Sequence, residues 1–268
     1  MKDNYLKSIM GCLLGTAVGD ALGLPYERLS RNTIHRSHTP IKGHAFILNK
    51  GMFSDDTEHI CMTAQSLIVS GGDPAKFVRN FAWRLRLWLL GLPGGVGLAT
   101  LKSSLKLWMG FSPKRSGVNS AGNGAAMRST IIGVCYGADL PKLLALVKAS
   151  TAITHNNHKA ELGAIAVAVA GYLASIQPLT QPQEYYQTLE KFVTHSSAEL
   201  PDTEVAAFLD LIQQACVSVE GNETAVAFAN KLSNHKGVSG YIYHTVPVVI
   251  QVWLRNQDRY SHGVKEVI

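Results

Sequence analysis

The feature that most constrains this chain is its apolar periodicity. Nearly every segment repeats at the three- and four-residue spacing of a helix face, and alternating strand patterns are almost absent. The spacing predicts helices over 5–23, 55–69, 74–90, 97–109, 123–136, 140–150, 158–175, 182–195, 202–219, 223–233 and 240–255. Start signals support several of them. Asp73-Pro74 offers a cap followed by proline at the first helical position, and Asp139 and Asp202 precede periodic runs in the same way. The expected fold is all-α, a single compact multi-helix domain over 1–268 without a sequence repeat, and 46% apolar residues supply its core. The glycine-bearing stretches 91–95 and 112–124 read as loops, not as interdomain linkers.

Composition narrows the partners only mildly. A net charge of +6 suits anions, but lysine and arginine read as scattered along the chain and give no specific nucleic-acid signal. Cys12, Cys61, Cys135 and Cys216 lie far apart inside apolar runs, so they read as buried thiols of a cytoplasmic protein. Lys2 and Lys7 precede an apolar stretch that imitates an export signal, but Asp3 and Asp20 break the pattern. Elsewhere no uninterrupted apolar run reaches the roughly 20 residues of a membrane helix, so no membrane partner is expected.

Gly11, Gly15, Gly19 and Gly23 recur every four residues in the first helix, although each costs roughly 1 kcal/mol relative to alanine there. One stripe of glycines would let another backbone approach closely, as tight core packing requires.

Ser54-Asp55-Asp56-Thr57-Glu58 opens the second helix, and two explanations stand side by side. Ser54 is a favoured N-cap, and acids in the first turn suit the positive end of the helix dipole. The same hydroxyls and carboxylates also present hard oxygens together, the donor set of Mg²⁺, Mn²⁺ or Ca²⁺; thiolates and clustered imidazoles for zinc are lacking. His59 follows on the same turn.

Three further segments accompany the cluster: Gly19-Asp20-Ala21-Leu22-Gly23-Leu24-Pro25-Tyr26-Glu27, the small-residue stretch Ser120-Ala121-Gly122-Asn123-Gly124-Ala125-Ala126-Met127-Arg128, and Thr154-His155. In this order on a helical background, they resemble the ADP-ribosylglycohydrolase family, which includes dinitrogenase reductase-activating glycohydrolases and ADP-ribosyl-acceptor hydrolases. The resemblance implies hydrolysis of the glycosidic bond between ADP-ribose and an acceptor, on a protein side chain or a small molecule. It implies magnesium, with manganese as the alternative, at a two-metal centre, one ion of which would be held by Ser54, Asp55 and Asp56. Glu27 and Asp56 would be catalytic, with Asp20 and Thr57 supporting the turn. Asn119, Ser120, Gly122, Asn123 and Gly124 would wrap the ADP-ribose diphosphate and distal ribose, with His155 near the substrate. Arg128 is open to phosphate pairing or to simple exposure.

One departure from the family pattern bears on activity. A late Gly-Gly-Asp-x-Asp-Thr motif, which supplies the other half of the metal centre, is not found. The segments Gly240 to Pro247 and Asp258 to Ile268 resemble the stretch and the helix that lead to it. The domain is therefore expected to be C-terminally incomplete. The alternative to a working hydrolase is a catalytically impaired homologue that binds ADP-ribose. Acceptor linkage and oligomeric state are not legible in the sequence.

Overall fold

Helix after helix starts where a short polar side chain takes up a first-turn amide. Ser54 accepts from the Asp56 amide, Asp73 from Lys76, Asp139 from Lys142 and Asn157 from Lys159. The computed structural model describes residues 2–27, 29, 33, 34, 36, 41, 43–46, 48, 50–196, 200–233 and 237–268. Within them α1 is Lys2–Gly23, followed by a 3₁₀ turn Leu24–Tyr26. Then come α2 Asp55–Ser70, α3 Pro74–Leu90, α4 Leu98–Trp108, α5 Pro113–Ser116 and a 3₁₀ helix Asn123–Arg128. Next are α6 Thr130–Tyr136, α7 Leu140–Thr154, α8 His158–Ile176 and α9 Pro182–Ser196. The series ends with α10 Asp202–Glu220, α11 Ala225–Ser233, α12 Ile242–Arg255 and α13 Tyr260–Val267. The fold is all-α as expected, and among the described residues β-pairing is limited to two isolated bridges, Val118 with His155 and Gly122 with Tyr241.

The central element is α8. Its sequence is apolar all round, and burial runs almost unbroken from Ala160 to Leu173. Helices α6, α7, α9 and α12 and the 3₁₀ helix pack around it. Two glycines make the closest of these contacts. A methyl on Gly133 of α6 would overlap the Ala168 carbonyl, and one on Gly171 of α8 would lie 2.7 Å from the Thr130 carbonyl oxygen. Backbone therefore meets backbone between α6 and α8.

Several expectations need correction. The predicted helix 123–136 is divided at Ser129, because a tighter 3₁₀ turn swings Arg128 inward. α5 lies inside a stretch read as loop, although Ser112-Pro113 is the same start signal as Asp73-Pro74. The glycine stripe of α1 admits no second backbone. Nothing lies within 4 Å of a methyl built on Gly11 or Gly23, whereas Gly15 and Gly19 face the Tyr260 ring of α13. Of the four thiols, only Cys216 is buried; the other three are half-buried.

By length and hydropathy alone, the stretches Asn4–Tyr26 and His158–Ile176 are long and apolar enough to cross a membrane, although Lys159 and Glu161 interrupt the apolar run of the second. The second is the buried core helix α8. On α1, Leu6, Met10, Leu14 and Val18 face solvent at four-residue intervals.

The glycines separate these roles experimentally. Gly133→Ala should destabilise the protein by several kcal/mol, about 3 or more, by forcing α6 off α8. Gly11→Ala, in open space, should stabilise it by ~0.5–1 kcal/mol through helix propensity. Urea unfolding of the two variants measures both.

Candidate active site

The acid-bearing turn of α2 is built around one carboxylate from α1. Asp20 Oδ1 accepts from the Ser54 hydroxyl at 2.8 Å; its Oδ2 accepts from the Ser54 amide at 2.8 Å, the Thr57 amide at 3.2 Å and the Thr57 hydroxyl at 2.6 Å. Ser54 and Thr57 are buried in making these bonds. Ser54 Oγ, at 3.4 Å, also accepts from the Asp56 amide. The hydroxyl expected to ligate metal is thus turned toward Asp20, which leaves the carboxylates of Asp55 and Asp56 as the candidate metal donors of the turn.

Burial raises the Asp55 carboxyl to about 6, with the neighbouring Glu27 charge adding to the effect and backbone amides of Asp55 and Gly97 opposing it. Burial raises Asp56 further, to about 7, reinforced by Asp55, Asp20 and Glu27. Glu27, exposed just after the 3₁₀ turn, therefore joins the cluster electrostatically. Among the described residues no three His, Cys, Asp or Glu side chains converge closely enough to hold an ion. The donor chemistry of Asp55 and Asp56 nevertheless fits a hard divalent cation, whose charge would relieve the repulsion that raises both groups. The loop between α3 and α4 closes one side. A methyl on Gly95 would lie 3.3 Å from Asp55 Oδ1.

The second wall is the 118–124 loop, pinned at both ends. Val118 exchanges backbone hydrogen bonds with Thr154 and Asn156, the Ile242 amide donates to the Ala121 carbonyl, and the Asn123 amide donates to the Gly240 carbonyl. The Asn123 amide is therefore spent on the protein and not offered to an anion, and the Gly122 amide donates to Ser120 Oγ at 3.3 Å. Asn119 Oδ1 accepts from Asn157 at 2.7 Å. What approaches the glycines closely is His155: a methyl on Gly124 would lie 2.9 Å from its Cε1, and one on Gly122 would lie 3.4 Å from its Nε2.

The two walls are joined by a residue whose role the sequence concealed. Arg128 is fully buried and spends all five guanidinium hydrogens inside the protein. Nε donates to Ser150 Oγ at 3.0 Å. Nη1 donates to His59 Nδ1 at 3.2 Å and the Gly124 carbonyl at 3.0 Å. Nη2 donates to the Ser150 carbonyl at 2.8 Å and Thr154 Oγ1 at 2.6 Å. Its guanidinium also sits 5.0 Å over the Phe81 ring. No donor remains for phosphate, which overturns that expectation and simple exposure alike. Burial lowers the guanidinium to about 9, against the pull of Asp55, so it stays charged at neutral pH.

This network assigns both imidazoles. His59 Nδ1 accepts from Arg128, so its proton is on Nε2. Thr154 Oγ1 accepts from Arg128 and sits 2.8 Å from His155 Nδ1, the one acceptor within reach of its own hydrogen among the described residues, so the hydroxyl donates there and His155 too carries its proton on Nε2. Burial, then the Arg128 charge, lowers His155 to about 3 and holds His59 far below its ordinary value. Both rings are neutral at physiological pH. Trp88, which no pattern in the sequence marked, stacks edge-on to His59 at 4.5 Å and donates to Glu58 at 2.6 Å.

Two measurements test this arrangement. Because Asp56 is raised in the folded state, the unfolded chain loses that proton first, so metal-free stability should fall as pH rises from about 4 to about 7. Asp56→Asn should therefore gain about 2 kcal/mol at pH 8 in chelator and little at pH 4, after discounting for partial solvent screening. Arg128→Met should cost at least about 3 kcal/mol by orphaning its acceptors, and Arg128→Lys should recover little because an ammonium lacks the planar fork. In Arg128→Lys the His155 ring should show mixed tautomers by ¹⁵N NMR.

The fold has a counterpart among solved structures, and the sequence has relatives. A solved structure described as an ADP-ribosylglycohydrolase-related protein complex aligns with a TM-score of 0.59 over 99% of this chain and 81% of that one, at 23% identity, which speaks for the fold alone. An uncharacterized protein of Archaeoglobus fulgidus is 37% identical over 167 residues, 59% of this chain and 53% of its own length. The ADP-ribosyl-[dinitrogen reductase] glycohydrolase of Rhodospirillum rubrum is 34% identical over 159 residues, 55% of this chain and 51% of its own. The chain thus spans about half the length of these two curated relatives. The family profile described as ADP-ribosylglycohydrolase matches residues 1–268, and the chain belongs to that family.

Proposed function

We propose that this chain carries a magnesium-dependent centre that hydrolyses the bond between ADP-ribose and an acceptor. The observation that carries the reading is the pairing of two walls: the Asp55–Asp56 turn held by Asp20, and the 118–124 loop backed by a neutral His155. A hard cation bound by Asp55 and Asp56 would orient ribose hydroxyls and polarise the reacting centre. Glu27, exposed beside the two aspartates, takes the proton of the attacking water. His155 donates from Nε2 to a substrate oxygen, in the one protonation state that Thr154 permits. Asn119, Ser120, Gly122, Asn123 and Gly124 border the nucleotide through their outward surface, since several of their inner polar groups are already bonded to the protein. Four cysteines without a disulfide suit the cytoplasm as the location.

A second reading is ADP-ribose binding without turnover. The inward commitment of the Ser54 hydroxyl favours it, because it leaves two aspartates as the principal metal donors. One experiment separates the two. The first reading expects Mg²⁺-dependent release of ADP-ribose from a conjugate, reduced at least ~100-fold in Asp55→Ala/Asp56→Ala. Calorimetry showing ADP-ribose binding, with no release at saturating Mg²⁺ or Mn²⁺ from any conjugate linkage, would establish the second.

A further inference from the structure

The cations of this chain are less scattered than they first look. Between residues 74 and 138 there are nine lysines and arginines and not one aspartate or glutamate, which leaves 16 basic against 19 acidic residues for the rest. That acid-free stretch contains α3, α4 and α5, which pack together beside the candidate site. The outer face of α3 presents Lys76, Arg79, Trp83, Leu87 and Leu90, spaced as one helical stripe. Trp83 is 61% exposed. The outer face of α4 presents Leu98, Lys102 and Trp108.

The two faces are continuous. Arg86 of α3 lies 4.9 Å over the Trp83 ring and donates to the Leu107 carbonyl at 3.0 Å, while Trp108 Nε1 donates to the Arg86 carbonyl at 3.1 Å. The surface also runs to the acidic turn, because the loop joining α3 to α4 carries Gly95 against Asp55. In that loop Leu92 is held at φ 51° with 89% of its surface exposed. A leucine in the left-handed region costs about 1 kcal/mol or more, and here burial returns nothing for it within the chain.

We propose that this basic, apolar face is the docking platform for an acidic protein that bears the ADP-ribosyl group, so the substrate of the centre is a modified acidic protein. The inference rests on the hydrolase reading above. Charge complementarity selects the partner: apart from the buried Arg128, the eight cations of this acid-free stretch reach the surface and attract a negatively charged one. The leucines select protein over nucleic acid, whose bases stack on tryptophan but leave Leu87, Leu90, Leu92 and Leu98 unmatched. Position argues against a lipid surface, since a bilayer laid on this face would also cover the mouth at Gly95.

The test compares two carriers modified through one linkage, acidic serum albumin and basic lysozyme, with the free ADP-ribosyl amino acid of that linkage. Docking predicts that Lys76→Glu/Arg79→Glu/Lys102→Glu lowers kcat/KM on modified albumin about tenfold while the free conjugate stays within about twofold. Trp83→Ser/Leu87→Ser should act likewise, and 0.5 M salt should erase the preference of the unaltered protein for albumin over lysozyme. Equal losses on albumin and free conjugate, or no loss on albumin, would overturn the proposal. Binding of modified albumin, read by fluorescence anisotropy, decides docking without turnover; absence of free-conjugate hydrolysis would then count against the hydrolase reading alone. Charge-reversal-sensitive binding to phosphatidylserine vesicles or to single-stranded oligonucleotide, or self-association lost in Trp83→Ser/Leu87→Ser, with albumin binding unchanged, would assign the face to that occupant and overturn the proposal.

Discussion

A charged guanidinium with no water around it dictates how the rest of this site is assembled. Taking such a group from solvent costs several kcal/mol unless its hydrogens find acceptors, and Arg128 finds one for each of the five. The acceptors come from three places: His59 on α2, Gly124 in the loop, and Ser150 and Thr154 at the end of α7. Satisfying the charge therefore fixes the distance between the acid-bearing helix and the 118–124 loop. It also dictates the orientation of two histidines that would otherwise be free to exchange protons. Architecture and proton placement follow from the same five bonds.

The helices were legible because a buried face must repeat with the helix, and that repeat survives in the sequence whatever the tertiary arrangement. The Ser54 cluster was legible for a related reason: a cap and its first-turn acids are local chemistry. Arg128 was not, since nothing local distinguishes an arginine aimed at solvent from one drawn inward by Ser150 and Thr154, more than twenty residues away. The glycines of α1 misled in the opposite direction. Their spacing is regular, but close backbone approach is made by Gly133 and Gly171, which form no stripe. The double duty of Asp20 was half visible. Its place near the acids came from the family pattern, whereas its use as the acceptor that organises Ser54 and Thr57 is a contact between two helices.

Asp55 and Asp56 gain their chemical character from the same frame. The turn is held so that two carboxylates share a partly dehydrated space with Glu27 and Asp20 nearby, an arrangement that works against stability while no cation is present. The protein tolerates this because Asp20 donates nothing to the mouth: its oxygens are absorbed in the cap. One carboxylate secures the turn and two are left poised.

The hydroxyl of Tyr260 reaches across 245 residues of sequence to the Gly15 carbonyl, over the open flank of α1. This has a consequence for the order in which the chain takes shape during synthesis. The Asp20 clamp spans only 34 to 37 residues and can close while translation continues. The flank of α1 must wait for α13, and through that interval Gly15 and Gly19 lack the Tyr260 ring that faces them in the finished fold. A nascent chain can therefore hold an assembled acid turn before its first helix has met its last neighbour.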